Sequence, residues 1–155
     1  MKKYLIDTFL FNDKANRKIL ENIKKLPEKN ECIKLFSHLI NCMNKWIAGV
    51  KNESYTSLLE WWNPAYPLEK LEDEWQKCLK LWIDYLNEKT DEELGTEIIL
   101  MNFDGGNWAI KPQDIALQLN YHSIHHRGQM QYLIRKQGLK PVSIEYINDH
   151  YREVK

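Results

Sequence analysis

Four stretches of roughly twenty residues, each carrying apolar side chains at three- and four-residue spacing, constrain the fold of this chain more than any other feature. The first, Tyr4 to Leu26, holds Leu5, Ile6, Phe9, Leu10, Ile19, Leu20, Ile23 and Leu26 before Pro27 stops it. The second, Glu31 to Val50, carries Ile33, Phe36, Ile40, Met43, Ile47 and Val50 on one face, with Leu35, Leu39 and Trp46 widening the arc enough to touch two neighbours. The third, Leu68 to Asn87, repeats Leu71, Trp75, Cys78, Leu79, Trp82 and Leu86. The fourth opens at Lys111-Pro112-Gln-Asp114, with proline in the first turn and an acid near the positive end, and closes at Gly138 ahead of Pro141. Between the last two, Thr96 to Phe103, the turn Asp104-Gly-Gly-Asn107 and Trp108 to Ile110 read as strand, turn and strand. Ile144 to Val154 adds a short terminal helix. The expectation is an all-α single domain over 1–155, a four-helix up-and-down bundle with a small β-hairpin before the last long helix. Such bundles build metal and cofactor sites from side chains on facing helices.

A chain of 155 residues buries a core without disulfides or a structural metal, so a metal here would serve function more than folding. Its 22 basic and 22 acidic residues cancel, and the lysines near the first helix interleave with Asp13, Glu21 and Glu28, which predicts no nucleic-acid partner. Cys32, Cys42 and Cys78 are an odd number at no motif spacing, which argues for a reducing compartment and a cytoplasmic protein. Asp7, Asn12 and Asp13 interrupt the apolar start before it reaches the length of a leader, and no stretch is long enough to cross a bilayer, so no membrane partner is expected.

The fourth helix carries His122-Ser-Ile-His-His126-Arg-Gly-Gln129. Positions i and i+4 lie within about 40° of each other one turn apart, so His122 and His126 can converge on one ion. Relative to His122, Ile115 and Leu133 fall within about 20° and Leu119, His126 and Met130 within about 80°, which turns both imidazoles toward the core. His125 falls about 60° to the other side on the polar margin, which makes it the weaker ligand. Two inward imidazoles need a shared partner, since an unpaired buried polar nitrogen costs roughly 1–3 kcal/mol. The second helix is the natural donor of a third ligand, because His38 sits at the edge of its apolar arc beside Leu35 and Cys42. Cys42 itself reads as a small buried apolar residue, and His150 as a surface residue of the polar tail. The aromatic connection from Tyr55 to Pro67 must fold over something; Trp61, Trp62 and Tyr66 either line an apolar pocket above the metal or simply pack under the loop.

Taken together, Asp13 and Asn16 on the early helix, Leu35-Phe-Ser-His38 through Trp46, the hairpin, and Asp114 through Gln129 followed by Gly138 and Pro141 resemble the DinB-like (DinB/YfiT-like) metalloenzyme family over nearly the whole chain. The resemblance implies a four-helix bundle, commonly a homodimer, with a divalent metal held by His38, His122 and His126. It also implies thiol chemistry, since similar proteins include thiol S-transferases using bacillithiol or glutathione and a mycothiol-dependent isomerase.

Three neutral imidazoles leave a coordination position open, as in catalytic sites. Zn, Ni or Fe each accept such ligands. The function expected is therefore a metal-dependent transferase or hydrolase that activates a thiol or water for attack on a small electrophilic molecule, possessing a low-molecular-weight thiol as co-substrate in the transferase case. Gln129, on the His122 side of its helix, is expected to orient a ligand or a water. Gly128 is expected to admit a close neighbour, and Arg127 to point away toward the surface or a dimer contact. The alternatives are a non-catalytic dimeric metal-binding or stress-response protein, and a plain bundle with packed histidines.

Overall fold

The computed structural model describes residues 1–154. Four long helices form the body: α1 (Lys2–Lys24), α2 (Asn30–Val50), α3 (Leu71–Glu88) and α5 (Pro112–Lys136). A five-residue helix, α4 (Asp91–Gly95), and the hairpin β1 (Ile98–Phe103) and β2 (Gly106–Ile110) join α3 to α5. Each long helix lies within a few residues of its periodic stretch; the terminal segment forms only a 3-10 turn at Tyr146–Asp149. Among the described residues no helix is long and apolar enough to cross a membrane.

The helices pack as a square in which α1 touches α3 and α5, and α2 touches the same two. Sequence neighbours α1 and α2 therefore lie across a diagonal, and so do α3 and α5. The core they enclose includes Phe9, Ile23, Phe36, Ile40, Leu86, Ile115 and Met130 together with Trp75 and Trp82, both of which are fully buried. Burial satisfies the indole N–H groups: Trp82 donates to the Met43 carbonyl and Trp75 to Asp13. The three cysteines are free and buried.

In the hairpin, Asp104 and Gly105 both take positive φ (46° and 79°), the backbone of a two-residue turn whose twist matches the strands. Phe103 at its end stacks on Trp46 of α2 with centroids 4.6 Å apart.

The aromatic connection runs back along α2. Ser37 Oγ accepts from the Tyr66 amide, Asn41 donates to the Pro64 carbonyl and Lys45 to the Leu59 carbonyl. Lys45 is buried, pairs with Asp104 at 2.7 Å and lies 4.7 Å from the Trp61 ring centroid. One lysine thus ties helix, crossover loop and hairpin turn together.

Candidate metal centre

His38 leaves the middle of α2 and His122 and His126 leave α5, two helices packed side by side. Their rings converge: His38 lies 5.0 Å from His122 and 4.8 Å from His126 between centroids, and His122 lies 4.4 Å from His126. One ligand atom each of His38, His122 and Cys42 lies within 4.8 Å of the others, a group that does not include His126. That His-Cys-His group is compatible with a metal ion. His125 is exposed on the outer flank, as the helical wheel predicts, and His150 lies in the exposed tail.

The surroundings of the imidazoles decide which nitrogens are available. The Trp61 carbonyl, 2.6 Å from His38 Nδ1, can only accept, so that nitrogen carries the proton and Nε2 keeps its lone pair. Gln129 Oε1 stands 2.7 Å from His126 Nδ1 and assigns that ring the same tautomer. The Gln129 amide nitrogen then faces His125 Nε2 at 3.2 Å. Trp62 lies flat on His38, with centroids 3.7 Å apart and planes 8° from parallel, so the ring has little freedom to turn.

Burial holds the imidazoles neutral. His122 is pushed down to about 4 by desolvation first, then by His126, His38 and His125. Desolvation also lowers His38 and His126, opposed by the bonds to Trp61 and Gln129 respectively. Burial pushes the Cys42 thiol up to about 12. Neutral imidazoles are good ligands that have no charge of their own to offset, whereas the Cys42 thiol must lose its proton before it can bind a cation.

Does the site fit a cation? The Nε2 atoms of His38 and His122 face each other at 2.9 Å, and with a lone pair on the His38 side only a proton or a cation can join them. Nitrogen donors with a thiol nearby and no carboxylate lining the cleft suit zinc or nickel better than magnesium or calcium. The residues fit. Beside them opens a cleft of about 690 Å³ lined by Trp46, Trp61, Trp62 and Tyr121 among others. Trp61 and Trp62 line this cleft, Trp61 while also packing against Trp46 and Phe103, whereas Tyr66 lies outside the lining and is held through its backbone by Ser37.

Arg127 departs from its expected place. It is only 2% exposed and turns inward between α5 and α1, where its Nη1 reaches Asn12 at 2.6 Å, Ser123 at 2.8 Å and Asn16 at 3.1 Å. Asn120 continues this buried polar seam to Thr8 and to Asn12. Desolvation lowers the guanidinium to about 10, still charged at neutral pH. The wheel places Arg127 off the metal face correctly, but the opposite flank of α5 is covered by α1, and the asparagines that receive it lie over a hundred residues earlier. Gly128 faces open space with no neighbouring helix within reach.

A square of long helices thus brings imidazoles together from two adjacent members, an arrangement compatible with a metal site. The DinB family profile matches residues 1–154, and the chain belongs to that family. No curated protein and no solved structure matches it.

Proposed function

We propose that the protein is a metal-dependent enzyme in which His38, His122 and His126 hold a divalent ion, Zn, Ni or Fe, and in which a thiol or a water attacks a small electrophilic substrate. The observation that carries this reading is the 2.9 Å approach of the His38 and His122 Nε2 atoms beside an open cleft. When bound, the ion would supply Lewis acidity, favouring the deprotonated form of a thiol or water at neutral pH.

The chain's own residues do the rest. The Trp61 carbonyl fixes the tautomer of His38, and Trp62 covers one face of its ring against water. Gln129 does for His126 what Trp61 does for His38, holding Nδ1 so that Nε2 is the nitrogen offered. The aromatic wall of the cleft supplies apolar surface for the body of a small molecule. The same reading includes a cytoplasmic homodimer and a low-molecular-weight thiol as co-substrate in the transferase case, all of which rest on family likeness and composition.

Elemental analysis of tag-free protein, wild type against His122→Ala, tests the centre. Near-stoichiometric metal in the wild type, lost in the variant, is the expected result. A wild type that carries no metal and takes up none on addition removes the ion from this reading. Turnover of a thiol or ester substrate that disappears in folded His126→Ala separates an enzyme from a protein that merely stores metal.

A further inference from the structure

Cys42 follows His38 by one turn of α2, so the two side chains leave the helix on the same face. Its sulfur lies 3.6 Å from His122 Nε2 and stands beside the His38 ring, 3.6 Å from Nε2 and 3.7 Å from Nδ1. Bond lengths around zinc of about 2.0–2.1 Å to nitrogen and about 2.3 Å to sulfur place two tetrahedral ligands about 3.3–3.6 Å apart. Both separations to Nε2 have that value; because the sulfur stands level with both nitrogens of His38, a rotation of the Cys42 side chain toward the Nε2 lone pair would bring it onto a shared ion, and the nitrogen pair at 2.9 Å would open slightly.

A second observation concerns charge. No Asp or Glu lines the cleft, so a dication among imidazoles would find no carboxylate to neutralise it. The sulfur of Cys42 is the anion-forming group that stands against the ligand nitrogens. Cys78, by contrast, donates to the Trp75 carbonyl inside α3.

We propose that Cys42 is itself a ligand, as a thiolate, so that the centre is a mixed nitrogen–sulfur site selective for a borderline or soft cation such as zinc or cobalt over magnesium or manganese. The inference rests on the reading of His38 and His122 as ligands and adds to it. On binding, the S–H bond breaks, the proton passes to solvent, and the sulfur lone pair forms the metal–sulfur bond; no atom changes oxidation state. The thiolate lowers the net charge of the loaded centre by one. With His126 also bound, the thiolate would fill the fourth tetrahedral position, and the thiol or water of the proposed function would enter as a fifth ligand.

Cobalt(II) titration of chelator-stripped, tag-free wild type and Cys42→Ser reads the sulfur directly, because thiolate-to-cobalt charge transfer gives a near-ultraviolet band that imidazole ligation does not. The wild type should show the band. The serine variant should lose it while keeping wild-type circular dichroism, and should bind cobalt more weakly by at least the roughly 10–100-fold typical of losing a ligand-orienting partner. Wild type that binds cobalt with ligand-field absorption but no thiolate band overturns the role of Cys42 and leaves the histidine reading standing. A protein that binds neither cobalt nor zinc overturns both. Should the serine variant fail to fold, X-ray absorption on zinc-loaded wild type decides: a sulfur scatterer at about 2.3 Å supports the proposal and an all-nitrogen shell ends it.

Discussion

His122 carries the sharpest consequence of burial. Its folded pKa, about 4, lies below the ordinary 6.5, so the unfolded chain takes up the proton first as pH falls. The stability that goes with a neutral imidazole is fully present above about 6.5 and drains away between there and about 4, and His38 and His126 shift in the same direction. Urea denaturation of metal-free protein should therefore show a midpoint that drops between pH 7 and pH 5, and His122→Gln should flatten that slope. An equal slope in wild type and variant would remove His122 as its source. At this scale much was legible beforehand, because helical angle is local information: it separates His126 from His125 on adjacent positions of one helix. Arg127 shows where that information ends. Its direction around α5 follows from the wheel, but whether solvent or α1 waits there depends on Asn12 and Asn16, whose own placement is a matter of tertiary packing. Cys42 belongs with it: one turn after His38 is evident from spacing, whereas 3.6 Å from His122 across the helix interface is not.

The contact between α2 and the hairpin is tight enough to test. A Cβ added at Gly49 would come within 2.9 Å of two atoms of the Phe103 ring, the same ring that stacks on Trp46 at the edge of the cleft. Gly49→Ala should cost about 1–3 kcal/mol through overpacking and shift the hairpin outward, read as a lower melting temperature with altered tryptophan emission. Unchanged values would mean that Phe103 swings aside freely. Elements with long apolar repeats, α1, α2, α3 and α5, announce themselves in sequence, and so does the Asp104-Gly105 turn. The short α4 does not, having one buried apolar residue, Leu94; its signal is instead Thr90, whose hydroxyl caps the Glu93 amide while the Glu93 carboxylate returns to the Thr90 amide. The path of the aromatic loop along α2 had no periodic signal at all, since bonds from Ser37, Asn41 and Lys45 set it.

For the whole molecule, apolar stripes specify that each helix has a covered face without specifying which helix covers it. Trp75 and Trp82 could equally have faced a second subunit on periodicity alone; both are core residues. The diagonal arrangement of α1 and α2 is likewise invisible to a reading of one segment at a time. A ligand that binds the folded state alone raises stability by about 4 kcal/mol at a thousandfold excess over its dissociation constant. Zinc added to the chelated protein should therefore raise the melting temperature, and His122→Ala should abolish the rise; a rise that survives the substitution would place the zinc elsewhere. The approach of His38 to His122 has a further meaning for the chain as a polymer. These residues are 84 positions apart, and a shared ion would close that long span like a removable clasp, joining two of the bundle's walls. Loading and unloading would then alter how readily α2 and α5 part, so that metal supply would govern the lifetime of the protein as well as its chemistry.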